Sequence, residues 1–170
     1  MLGPARFVYV VVKPQPALAR YIAAHPRATA KRGPELLHIT IQPLGDRLEF
    51  QSELLSLILR IMAIVDAPPF RVVFDRIVDS GRTIALCGSE PTRGAQAFRA
   101  ALIATLNRHG LSLPPHRFTP HMTIAYQSDG LGNEDIDPIS WRVEEFLLVE
   151  SIIPEGRHEL LGRWPLRDPS

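Results

Sequence analysis

The sequence predicts an α+β fold assembled as a pseudo-twofold duplication. Three observations point there. Apolar runs of strand length alternate with two helices of 3.6-residue period. A His-x-Thr motif occurs twice, at His38/Thr40 and at His121/Thr123. The two halves also carry a faint internal repeat: Leu37-His38-Ile39-Thr40-Ile41 resembles Pro120-His121-Met122-Thr123-Ile124. Further on, Phe70-Arg71-Val72 leading to Val78-Asp79-Ser80 resembles Trp141-Arg142-Val143 leading to Val149-Glu150-Ser151, without a gap. At 170 residues the chain has the size of one domain. The expectation is a single unit over 1–170 in which two intertwined lobes each contribute one motif.

Taken in order, Phe7 to Val12 reads as a buried strand ended by Lys13-Pro14-Gln15-Pro16. Pro16 suits the first turn of a helix through Leu18, Tyr21 and Ile22. Gly33-Pro34 then breaks the chain before a strand from Leu36 to Gln42. Leu54, Leu55, Ile58, Ile61, Met62 and Val65 recur at helical steps, with Ser52 as the expected cap. Phe70 to Asp79 and Arg82 to Gly88 form a strand pair turned at Ser80-Gly81. A second clear helix runs from Thr92 to His109 and stops at Gly110. A strand at His121 to Tyr126 precedes a flexible acidic loop from Ser128 to Pro138. Strands from Trp141 to Glu150 and from His158 to Leu166 close the chain.

Composition narrows the function classes. The chain is 45% hydrophobic and 22% charged, a globular balance. A net charge of +1, without a basic stripe, argues against duplex DNA as a partner. Lys13 and Lys31 are the only lysines, so the positive charge is nearly all arginine, which suits bidentate phosphate contacts. Cys87 is the only cysteine, which rules out an internal disulfide and a thiolate metal cluster. No apolar segment approaches the ~20 residues of a membrane span, and the default expectation is a cytoplasmic monomer.

Strand geometry gives the motifs their chemistry. Successive side chains alternate faces. His38, Thr40 and Gln42 therefore share one face, opposite Leu37, Ile39 and Ile41, and His121 and Thr123 share a face opposite Met122 and Ile124. One His-x-Thr on a strand is a weak signal, but two in matched, isoleucine-flanked contexts are a pattern. Two imidazoles can serve as general base and general acid near neutral pH. Two threonine hydroxyls can donate to the non-bridging oxygens of a phosphoryl group. No His-x-His, no carboxylate cluster at ligand spacing and no Gly-x-x-x-x-Gly-Lys loop is present. The expectation is phosphoester chemistry with no metal and no cofactor.

These residues resemble the two-histidine phosphoesterase superfamily, in particular the bacterial 2′-5′ RNA ligase-like proteins and RNA 2′,3′-cyclic phosphodiesterases. His38-Ile39-Thr40-Ile41-Gln42-Pro43-Leu44-Gly45 is similar to that family's first motif. Phe118-Thr119-Pro120-His121-Met122-Thr123-Ile124-Ala125 is similar to its second. The closing strands, around Phe146 to Ser151 and Leu161 to Leu166, fit the same pattern. The resemblance implies a bilobal fold, with antiparallel sheets lining a central cleft and helices packed outside. It implies hydrolysis of 2′,3′-cyclic phosphate ends of RNA or of small cyclic nucleotides, with 2′-5′ ligation as the reverse reaction. Family members also act on small cyclic phosphates of the ADP-ribose type. A protein that holds RNA or a phosphorylated metabolite without turnover is the rival from another class. The chain departs from many RNA-directed relatives at Ala125-Tyr126, where they carry an arginine, and at Pro43, where phenylalanine is common.

Further candidates line up around the motifs. Tyr9 and Tyr126 offer faces on which a base can stack, although strand parity places Tyr126 opposite His121 unless the strand bulges. Gln42 shares the face of Thr40, and Arg117 lies just ahead of the second motif, within reach of a phosphate. His25, His109 and His158 show no partner at motif spacing, and His116 reads as an exposed loop residue.

Overall fold

The computed structural model describes residues 3, 5–29, 33–153 and 155–168. In chain order the elements are β1 (Ala5–Val12), α1 (Pro16–Ala23), β2 (Ile39–Asp46), α2 (Ser52–Met62), β3 (Phe70–Asp79) and β4 (Ile84–Cys87). There follow α3 (Arg93–Arg108), β5 (His121–Ala125), β6 (Glu134–Val143), β7 (Glu145–Ile153) and β8 (Arg157–Pro165). Short 3-10 turns at Pro34–Leu36 and Arg47–Glu49 flank β2.

The strands form two four-stranded antiparallel sheets, ordered β2-β1-β7-β8 and β5-β4-β3-β6. Position for position the orders correspond. Each sheet has a motif strand at one edge (β2 or β5). Beside it lies the strand that precedes it in the chain across a helix: β1 and α1 in one sheet, β4 and α3 in the other. This is the expected duplication. The sequence repeat maps onto it only in part. Val78-Asp79-Ser80 and Val149-Glu150-Ser151 fall on or just past β3 and on β7, which occupy equivalent places. Phe70-Arg71-Val72 instead pairs directly with Val143-Arg142-Trp141 in the β3–β6 ladder.

One continuous core joins the sheets. An aromatic file crosses it: Phe70 on β3 packs on Phe98 of α3 (6.1 Å), Phe98 on Phe146 of β7 (5.0 Å), and Phe146 on Trp164 of β8 (5.5 Å). Phe98 and Phe146 are fully buried, so α3 packs its apolar face against strands of both sheets. Val8, Val10 and Val12 turn the core face of β1 inward. Val11, Leu147, Val149 and Tyr9 form a separate apolar cluster on the opposite face of the first sheet.

Several sequence expectations need correction. Ser52 is the first helical residue of α2, not its cap; Gln51 holds that place. The strand expected from Trp141 to Glu150 is two strands, broken at Glu144, because β6 and β7 belong to different sheets. The acidic stretch from Ser128 to Pro138 is not a flexible loop. Its second part begins β6, an edge strand, where Pro138 costs no interior ladder hydrogen bond. Its first part is anchored by the buried Arg27, whose Nε and Nη2 each donate to Asp129 at 2.8 Å. Arg27 also lies 3.8 Å from Asp79 and 3.5 Å from Glu134.

Candidate active site

Both motif strands share one irregularity. On β2, Val11 pairs with Thr40 and Val10 with Gln42, so Ile41 is an extra residue. On β5, Ala85 pairs with Thr123 and Ile84 with Ala125, so Ile124 is extra. A bulge of this kind reverses side-chain parity beyond it. In each strand it falls immediately after the motif threonine. Up to the bulge, His and Thr point away from the core. After it, Gln42 and Ala125 point inward and are buried.

The two motifs meet in one cleft of about 500 Å3. His38, Thr40 and Tyr9 line it from the first sheet, and His121, Thr123 and Tyr126 from the second. The turn between β7 and β8 closes one side with Ser151, Ile153, Gly156 and His158.

The imidazoles are held in the same way. His38 Nδ1 lies 2.7 Å from the carbonyl oxygen of Leu36, and His121 Nδ1 lies 2.8 Å from that of Thr119. Each partner sits two residues upstream. A carbonyl oxygen can only accept, so each Nδ1 carries the proton and the lone pair of the neutral ring lies on Nε2. The threonine hydroxyls have no protein hydrogen-bond partner among the described residues. Burial, and then the nearby Tyr126 phenol, push the Tyr9 hydroxyl above its ordinary pKa, so it stays a neutral donor.

The remaining candidates lie elsewhere. Gln42 is outside the cleft: its amide donates to the carbonyl of Pro43 (2.8 Å), and its oxygen accepts from Arg99 Nε (3.1 Å). Arg99 continues the link, donating to the carbonyl of His116 (3.1 Å) and lying 5.3 Å from the centre of the Phe118 ring. Gln42 therefore braces the segment leading into the second motif. Arg117 is exposed on that segment and does not line the cleft.

His158 is the residue that sequence reasoning missed. Its ring stands edge-on to His38 at 4.9 Å, and Lys13 Nζ lies 3.3 Å from its Nδ1. His158 comes from the far edge of the sheet, 120 residues from His38, and no local spacing could announce it. The described residues contain no group of three metal-ligating side chains able to hold an ion, and no helix long and apolar enough to cross a membrane.

Comparison with solved structures finds the same fold elsewhere. Escherichia coli LigT complexed with 3′-AMP matches at 22% identity and a TM-score of 0.73, over 95% of this chain and 98% of that one. A structure described as a phosphoesterase matches at 20% identity and TM-score 0.74, over 96% and 99%. The protein TT0787 of Thermus thermophilus matches at 20% identity and TM-score 0.69, over 96% and 100%. At these identities the likeness is one of fold. Comparison with curated protein sequences gives no match. Residues 10–151, which include both motifs and most of the two sheets, match the sequence model of one family, and this chain belongs to it: the 2′-5′ RNA ligase superfamily.

Proposed function

We propose that the protein is a metal-independent phosphodiesterase that opens 2′,3′-cyclic phosphates, at the ends of RNA or on small nucleotides. The observation that carries this reading is the matched pair of imidazoles, each fixed through Nδ1 to a carbonyl and lining one cleft with a threonine beside it. A site that only bound phosphate would gain nothing from two pre-oriented proton-transfer groups.

In the hydrolytic direction, one neutral imidazole accepts a proton from water at Nε2 as the oxygen attacks phosphorus in line with the leaving ribose oxygen. The P–O bond to that oxygen breaks, and the second imidazole, protonated, delivers its Nε2 proton to it. Thr40 and Thr123 donate to the two non-bridging oxygens and so stabilise the charge that they carry in the transition state. Tyr9 and Tyr126 flank the site with aromatic faces suited to a base. Ligation of a cyclic phosphate end to a 5′-hydroxyl follows as the reverse use of the same groups. E. coli LigT has been crystallised with 3′-AMP, NADP+ and ATP, which supports a nucleotide ligand for this cleft.

The test is turnover, in EDTA, of 2′,3′-cyclic nucleotides and of a short RNA ending in a 2′,3′-cyclic phosphate. His38→Ala and His121→Ala should each lower kcat by at least ~100-fold, the scale of a general acid–base contribution. Absence of turnover on both substrates by folded protein would refute the assignment and direct the search to cyclic phosphates of the ADP-ribose type.

A further inference from the structure

Tyr126 lies one residue past the end of β5, half-exposed, where the chain turns toward β6. Two anchors flank it. Two residues earlier, the carbonyl of Ile124, the extra residue of the β5 bulge, accepts from the backbone N–H of Thr29 (3.0 Å). Two residues later, Ser128 Oγ donates to Asp79 at the end of β3 (2.7 Å). At the next position, Asp129 takes the fork of Arg27, Nε and Nη2, at 2.8 Å each. Thr29 and Arg27 belong to one short segment, the one that leaves α1.

That segment is itself fixed. His25 folds it into a turn: its carbonyl accepts from the N–H of Ala28 (2.9 Å), and its Nδ1 accepts from the N–H of Arg27 (3.1 Å). The Arg27 side chain is 7% exposed, with Asp79 at 3.8 Å and Glu134 at 3.5 Å. A guanidinium so far out of water needs its carboxylates, and its removal leaves them uncompensated. The segment also belongs to the other half of the fold, since α1 follows β1, the strand that carries Tyr9. Tyr9 and Tyr126 line the cleft from opposite sheets, and Arg27 ties the second to the half that holds the first.

We propose that Arg27 is a positioning residue for specificity: through Asp129 it holds Tyr126 across the cleft from Tyr9 as one wall of a base-binding gap, and so makes the site select nucleoside cyclic phosphates over base-free ones. The inference rests on the cyclic phosphodiesterase reading above and says which members of that substrate class the site favours. Stacking one base on an aromatic side chain strengthens binding roughly 5- to 150-fold. A Tyr126 released from its brace forfeits much of that. Arg27 does not line the cleft, so its effect should reach the substrate through the base and not through the phosphate.

The experiment compares kcat/KM for adenosine 2′,3′-cyclic phosphate with that for methyl β-D-ribofuranoside 2,3-cyclic phosphate, which keeps the sugar and the reacting phosphate but has no base. The native protein should favour the nucleotide at least tenfold. Tyr126→Leu should bring that ratio toward one. Arg27→Met should do the same, through a KM for the nucleotide raised about tenfold at similar kcat. Arg27→Lys, which keeps the charge without the fork, should fall between. With Tyr126 already replaced, Arg27→Met should move the ratio no further. Melting temperatures are recorded, and Asp129→Asn, on the more exposed side of the contact, carries the comparison if Arg27→Met does not fold. A native ratio near one, or Arg27 and Asp129 variants that leave the native ratio as it is, would overturn the proposal while leaving the phosphodiesterase reading intact. If neither substrate turns over, that reading fails first, and calorimetry with adenosine 2′-phosphate and with inorganic phosphate decides the brace. Weaker nucleotide binding by Asp129→Asn at unchanged phosphate binding sustains the proposal; equal changes, or none, end it.

Discussion

Replacing Thr40 or Thr123 by valine separates the two roles that a strand threonine can play. Threonine and valine have nearly the same shape, and both suit strands. Thr40 packs beside Val11 and Thr123 beside Ala85, so an added methyl meets apolar neighbours. Neither hydroxyl has a protein partner to lose among the described residues. The fold should therefore be indifferent, with any change in stability below about 1 kcal/mol. The rate should not be. Removing one donor to a developing oxyanion costs roughly 10²- to 10³-fold in kcat in a dry site. Here both threonines are half-buried in an open cleft of about 500 Å3, where water can partly replace the lost donor, so the lower end, ~10²-fold, applies. If the hydroxyls serve separate oxygens, the double variant should fall by about the product, ~10⁴-fold. The assay is kcat and KM on a cyclic nucleotide in EDTA, alongside a thermal melt. A kcat within a few-fold of native for both single variants would refute transition-state donation by the threonines, whatever the histidines do.

Two further outcomes test the surrounding structure. Gln42→Leu leaves Arg99 Nε without its acceptor in a part-buried position and should cost about 1–3 kcal/mol in urea unfolding; a raised KM at unchanged stability would instead place Gln42 in the cleft. Asp129 is held down to about 2, chiefly by its hydrogen bonds from Arg27 and then by the backbone N–H of Leu131. Its folded value is depressed, so the stability it contributes is complete above the ordinary carboxylate value of about 4 and is lost as pH falls toward 2. The urea midpoint of the native chain should drop more between pH 5 and pH 2.5 than that of Asp129→Asn, and equal drops would refute this account.

Much of the site was legible because the motif chemistry is local. A histidine and a threonine two residues apart on a strand must share a face, and that parity holds as long as the ladder is regular. The helices were legible for the same reason: α3 ends at Arg108, and Gly110 just past its cap takes a positive φ of 82°, as its position past the last periodic residue suggested. What was not legible depends on tertiary partners. The start of β6 looks like a loop because Glu134, Asp135, Asp137 and Pro138 are poor strand formers. They are tolerated because β6 is an edge strand with its outer face in water. Arg27 reads as one surface arginine among many until three carboxylates from β3, β6 and the loop between β5 and β6 surround it. His158 comes to His38 across the width of a sheet, from β8 at its far edge.

Gln42 and Tyr126, the two candidates whose sides simple alternation gets wrong, share one cause, and it explains how the site is built. Simple alternation puts Gln42 in the cleft and Tyr126 in the core; the structure does the reverse. Ile41 and Ile124 are the extra residues in their ladders, and each turns the chain so that two successive side chains face the core. An edge strand accommodates this because only one neighbour's register is disturbed. The consequence is functional. Without the bulge, the cleft face of each motif strand would carry His, Thr and then the residue at 42 or 125. With it, the face carries His, Thr and then the residue at 43 or 126, set at an angle by the bend. In the second half that residue is Tyr126, half-exposed and lining the cleft, close enough to Tyr9 for the two phenols to interact. In the first half it is Pro43, whose carbonyl accepts from Gln42 and helps to hold that side chain inward. The halves share a bulge and a motif imidazole each but differ in what the bulge presents. A pseudo-symmetric fold can in this way surround a symmetric pair of imidazoles with an asymmetric cleft.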